Sequence, residues 1–108
     1  MIAVNVFTSN EIINGFELSG HAGYSEYGKD IVCAALSVLT INAINSIENF
    51  TDDLYDCSTD EQIGYMSFKI LDKVSDESHL LLKSMILGIE SMIEEYGSDY
   101  ITLDIKEV

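Results

Sequence analysis

Apolar residues alternate with polar ones near both ends of the chain and recur at three- and four-residue steps in two stretches between. "MIAVNVF" puts Ile2, Val4 and Val6 on one face, the period of a strand. "TSNE" reads as a turn, and "IINGFELSG" continues as a second strand paired with the first as a hairpin. From Asp30, "DIVCAALSVLTINAINSIENF" carries Val32, Leu36, Leu39, Ala43, Ile47 and Phe50 on one stripe, which predicts a helix. "LYDCSTDEQIGYMSFKI" predicts two strands around a Ser-Thr-Asp-Glu turn, with Gly64, Met66, Phe68 and Ile70 alternating on one side of the second. A second helix is predicted from about Ser78 to Tyr96 with Leu82, Met85, Ile86, Ile89, Ile93 and Tyr96 inward and Gly97 as its stop. "YITLDIKEV" closes as a strand with Ile101, Leu103 and Ile105 facing in.

The predicted order is ββαββαβ. One mixed or antiparallel sheet with two main helices packed against it buries those faces, so the fold class is α+β, a layered α/β arrangement. The 108 residues make one domain, 1–108, long enough for a core without disulfides or metals. Leu80, Leu81, Leu87 and Met92 lie off the inner stripe of the second helix, where they cover a sheet edge or form a dimer seam.

Charge narrows the partners. Five lysines and no arginine stand against nineteen acids, for a net charge of −14. Such a chain repels a polyanion, which argues against nucleic acid and anionic membrane surfaces, and it attracts a basic peptide or protein. The same acidity also serves plain solubility. No apolar run approaches the roughly 20 residues that span a bilayer. "MIAVNVFTSNEI" has no basic region or cleavage-site pattern of a secretion signal, so the expected location is cytoplasmic. Cys33 and Cys57 are then expected as free thiols.

The candidate chemistry lies in "GHAGYSEYGKDIVCAALS", Gly20 to Ser37. With Asp30 as N-cap, Cys33 is the third helical residue, among free N–H groups and at the positive end of the helix dipole. That environment favours the thiolate, and the same N–H groups can stabilise an oxyanion. His21, on a loop given freedom by Gly20, Gly23 and Gly28, can fold back as proton acceptor and donor. Tyr24 and Tyr27 can line a substrate groove or pack on the sheet. Ser37 is one turn beyond Cys33 on the same face and can bond near the nucleophile or to the carbonyl a turn back. Against this stands the plainer reading that Cys33 is a small buried hydrophobe and His21 an ordinary loop residue. The residues alone leave both open. Cys33, Cys57, His21 and His79 lack the short spacings of a zinc site, Cys57 and His79 read as structural and exposed respectively, and Asp52–Asp53 and Glu94–Glu95 read as solvated surface. No metal and no cofactor is expected.

The stretch "GHAGYSEYGKDIVCAALSVL" resembles the signature of the bacterial ribosomal-processing cysteine proteases: Gly-His-Ala, a short glycine-containing loop, then Asp-x-x-Cys opening a helix with a serine four residues on. Element order and length are similar to that family along nearly the whole chain. The resemblance implies a thiol endopeptidase with Cys33 as nucleophile and His21 as general base, supported by Asp30, Ser37 and Gly20. It implies a homodimer, and as substrate the short N-terminal extension of a basic large-subunit ribosomal protein, number twenty-seven. It further implies an apolar, aromatic-containing segment before the cut, in a groove lined by Tyr24 and Tyr27. Two other readings are an acidic, non-catalytic binding module for a basic ribosomal or ribosome-assembly protein, and a small thiol hydrolase acting on low-molecular-weight esters or amides.

Overall fold

The computed structural model describes residues 1–20, 27–60 and 62–108, with residues 27–30 described by their backbone alone. Its elements are β1 (Ile2–Ser9), β2 (Ile12–Ser19), α1 (Tyr27–Phe50), β3 (Tyr55–Asp60), β4 (Tyr65–Ile70), α2 (Asp76–Tyr96) and β5 (Ile101–Glu107), the predicted ββαββαβ order. The five strands form one sheet in the order β3-β4-β2-β1-β5. Every neighbouring pair is antiparallel except β1 with β5, which is parallel, so the sheet is mixed.

Alternation decides which face is covered. Along β1 the side chains of Ile2, Val4, Val6 and Thr8 are buried and those between them are half-exposed. Phe16, Leu18, Phe68, Ile70 and Ile101 join the same layer, and Phe16 stacks on Phe68 with ring centroids 5.4 Å apart. Val32, Leu36, Ala43, Ile44 and Ile47 of α1, with Leu82, Met85, Ile86, Ile89 and Met92 of α2, complete this core. Apolar burial of this kind is worth about 25 cal/mol per Å2 and is the main force holding the layers together.

The β1–β2 hairpin turns on Asn10 and Glu11, with φ of 51° and 68°. A two-residue connection with both φ positive matches the right-handed twist of the flanking strands. A bulge opposite Phe7 and Thr8 absorbs Asn14, which is why Ile13 and Phe16 both face the core despite their odd spacing. α2 starts at Ser75, whose hydroxyl accepts a hydrogen bond from the Ser78 N–H at 3.1 Å, and ends at Gly97, whose N–H reaches the Ile93 carbonyl at 2.8 Å.

Several predicted details shift. Ser58, Thr59 and Asp60 belong to β3, and the turn lies beyond them, because the pairing of Asp60 with Tyr65 extends the ladder. Phe50 and Tyr96 are exposed as the last residues of α1 and α2, and Ile105 is exposed in the second half of β5; Ile44 and Met92 are buried in their stead. Over Ile31–Phe50, α1 is long and apolar enough by length and composition to cross a membrane, contrary to the expectation from uninterrupted apolar runs. The run is broken by Ser37, Thr40, Asn42, Asn45, Ser46, Glu48 and Asn49, yet the helix as a whole remains apolar. Its stripe Val32–Leu36–Ala43–Ile47 is core, and the buried Thr40 hydroxyl is satisfied by the Leu36 carbonyl at 2.9 Å.

Candidate active site

α1 crosses one end of the sheet, and the gap beneath it is a groove of about 340 Å3. Cys33 lines it from the helix together with Leu36, Ser37 and Ile41. The floor comes from the start of β1 (Ile2), the end of β2 (Leu18, Gly20) and the start of β4 (Met66), and the far side from Thr59 and Asp60 at the end of β3. Cys33 is half-buried: it packs against the core and still borders the open groove. Ser37 and Ile41 follow at four-residue steps along the same helix face, the spacing that stacks side chains one above another. The lining is mainly apolar with few polar groups, the character of a site that holds a peptide by its side chains.

Gly20 fixes how the chain leaves β2. Its φ is +112°, a conformation L side chains rarely adopt, and a Cβ there would collide with the Met1 carbonyl. The glycine therefore lets β2 end against the first residue of β1 and releases the chain beside Cys33. Three of the sequence-predicted site residues, Gly20, Cys33 and Ser37, share one groove.

The predicted helix start is corrected. α1 begins at Tyr27, so Asp30 is inside its first turn and is not the N-cap. A carboxylate suits either position, since it complements the dipole as well as caps, and the residue type alone does not fix which it takes. Cys33 is then the seventh residue of α1, in its second turn, and the free N–H groups of the helix start belong to the turn before it. Tyr27 and Gly28 lie in the first turn, not in the preceding loop. His21, Gly23 and Tyr24 lie outside the described residues, as do the side chains of Tyr27 and Asp30.

Two residues read as bland behave otherwise. His79 is half-buried, and its Nδ1 accepts a hydrogen bond from the Ile13 N–H at 3.2 Å, tying α2 to β2. Asp53 is half-buried and accepts two bonds from Ser75. Cys57 is exposed on β3, and burial of part of its thiol together with the neighbouring Asp56 charge pushes its pKa up. Among the described residues no three His, Cys, Asp or Glu side chains gather as a metal site.

Ile41, Met66, Thr59 and Asp60 are groove residues that the sequence reading did not single out. A signal for Ile41 exists in hindsight: it is an apolar residue off the buried stripe of α1 and 46% exposed. Thr59 and Asp60 are brought in only by the β3–β4 register, which no local pattern reveals.

Comparison with known proteins bears on the whole chain. A family model described as "Cysteine protease Prp" matches residues 1–102. The ribosomal processing cysteine protease Prp of Staphylococcus aureus is 31% identical over 100 residues, covering 92% of this chain and 94% of that protein. The Bacillus subtilis protein of the same name is 30% identical over 90 residues, covering 78% and 79%. Among solved structures, the S. aureus protease in complex with a substrate peptide superposes with a TM-score of 0.89 at 32% identity, over 98% of this chain and 100% of that one. A second S. aureus structure, with a covalently linked product peptide, gives 0.87 at 32% identity over the same shares. A Streptococcus mutans protein gives 0.90 at 35% identity, over 100% and 96%.

Proposed function

The chain belongs to the Prp family of cysteine proteases, and from that premise we propose that it removes the short N-terminal extension of large-subunit ribosomal protein twenty-seven, with Cys33 as nucleophile and His21 as general base and acid. The observation that carries the reading is the placement of Cys33 on an open, apolar groove beside Gly20, the residue that immediately precedes His21 in the chain.

In this mechanism His21 takes the thiol proton and the Cys33 sulfur attacks the scissile carbonyl carbon. The C–N bond breaks as the imidazolium returns the proton to the leaving amine. The remaining thioester is hydrolysed by a water that His21 deprotonates, and the thiol is regenerated. The S. aureus relative captured with a covalently linked product peptide supports covalent chemistry of this type. Apolar groove walls at Leu36, Ile41 and Met66 suit an apolar, aromatic-containing segment before the cut, and the net charge of −14 suits a basic substrate protein. Asp30 and Ser37 are proposed as supporting residues. The same reading carries a cytoplasmic location and a homodimer, for which α2 offers the exposed Leu80 and Leu87.

Cleavage of a peptide spanning the extension junction tests it. Cys33→Ala and His21→Ala are each expected to abolish cleavage while leaving the circular-dichroism spectrum unchanged. Cleavage that survives Cys33→Ala refutes the assignment. Undiminished binding without any cleavage by the unaltered protein identifies a binding module, and turnover of small esters but not the peptide identifies a small-molecule hydrolase.

A further inference from the structure

The groove does not end at Cys33. Its far side is formed by Thr59 and Asp60, which are also the last two residues of β3. In the described structure β3 is the outermost strand of the sheet: one side pairs with β4 from Tyr55 to Asp60, and no strand pairs with the other. An edge of this kind presents a row of backbone N–H and C=O groups to any extended chain that reaches it. Five of its six residues, Asp56 to Asp60, are exposed, so among the described residues no packed layer blocks the approach.

Charge on this edge has a direction. Tyr55, Cys57 and Thr59 point to the helix side, in register with the core-facing Ile70, Phe68 and Met66. Asp56, Ser58 and Asp60 therefore point to the opposite face. Asp56 is paired across the ladder with Lys69, which offsets part of its charge, whereas Asp60 is paired with Tyr65. An edge strand with two outward acids four residues apart favours an added strand with basic side chains at matching alternate positions, since opposite charges on directly facing residues attract across a sheet.

We propose that β3 is a substrate-docking edge: an extended, basic segment flanking the scissile bond leaves the Cys33 groove at Thr59 and adds to β3 as a sixth strand, with basic side chains over Asp56 and Asp60. The inference rests on the protease reading above and deepens it by assigning a second recognition element outside the groove. Backbone bonds to β3 supply affinity and the two acids supply preference, the division of labour usual when a peptide is recognised by strand addition. At roughly 3.3 Å per residue, β3 spans about six substrate residues.

The test uses peptides that span the junction of the ribosomal-protein extension. One is a core peptide that fills only the groove; the others extend it by the native flank on either side. Within the extended peptides single backbone amides are N-methylated in turn, which leaves the enzyme untouched. KM is expected to rise roughly two- to tenfold at alternate positions of one flank and not at those between, with kcat unchanged, each rise reflecting one lost backbone bond. Asp56→Asn, which lies outside the groove, is expected to raise KM for the extended peptide and not for the core peptide. Equal KM for core and extended peptides, or a rise without a two-residue period, overturns the docking edge. Failure to cleave even the core peptide overturns the protease reading itself, so the two failures are distinct.

Discussion

Ser75 gives Asp53 two hydrogen bonds at once, from its backbone N–H at 3.0 Å and from its hydroxyl at 2.7 Å. The same hydroxyl accepts the Ser78 N–H and so caps α2. The connection after α1 is thereby fastened to the start of the second helix. Burial alone raises the Asp53 pKa, but Ser78 beside it and the two Ser75 donors outweigh that and hold the carboxyl below its ordinary value. A depressed folded-state pKa means that the unfolded chain binds this proton more readily. The stabilisation is therefore present above the usual carboxylate range and is lost as pH falls through the folded value. Ser75→Ala removes the cap and one donor, with an expected cost of about 1 kcal/mol at neutral pH. Urea denaturation from pH 7 downward should show the gap between variant and parent narrowing as Asp53 takes up its proton, while the share due to the lost cap persists.

Glu11 sits at φ 68°, a conformation with a steric cost for a residue with a Cβ. Glycine adopts it freely, and an Asn-Gly pair is a strongly favoured two-residue hairpin turn. Glu11→Gly should raise stability by about 1 kcal/mol, read as a higher urea midpoint with an unchanged slope. An unchanged or lower midpoint would mean that the lost Glu11 side chain, or the added freedom of the unfolded chain, matters more than the relief of strain.

The fold was largely legible because its signals are periodic. Ile2–Val4–Val6 and the Leu82–Ile86–Ile89 stripe each state their element and their buried face. Element ends were less legible, since a periodic pattern persists past the point where its partner layer stops, as at Phe50 and Tyr96. The start of α1 was misplaced because Asp30 suits a first turn as well as a cap. Of the site, the Gly20, Cys33 and Ser37 positions were readable from one local stretch. Thr59, Asp60 and Met66 were not, because they reach the groove only through strand order and register, which depend on the whole sheet.

Gly20→Ala tests whether the exit from β2 is sterically fixed. The added Cβ meets the backbone carbonyl of Met1, which cannot swing aside as a side-chain tip would, and the φ of +112° is itself costly for alanine. The variant is expected to lose roughly 1–3 kcal/mol of stability. Below its melting temperature it should also lose activity, because the displaced chain end is the one that leads to His21. A variant with parental Tm and parental kcat/KM would show that β1 and β2 yield at this point without consequence.

Ile41 offers a way to alter substrate binding without touching the nucleophile. It lines the groove two helical turns beyond Cys33, is 46% exposed and lies off the buried stripe of α1, so a polar replacement costs the fold little. A substrate side chain packed on it would bury apolar surface worth about 25 cal/mol per Å2, and losing some 40–60 Å2 of contact amounts to about 1–1.5 kcal/mol. Ile41→Asn should therefore raise KM for the junction peptide roughly five- to tenfold, with kcat within about twofold of the parent, since the lost contact is uniform to ground and transition states. The same substitution should leave the urea midpoint within about 0.5 kcal/mol of the parental stability. A large fall in kcat with unchanged KM would instead place Ile41 among the groups that orient the scissile bond, and an unchanged KM and kcat would move the bound peptide off this wall of the groove.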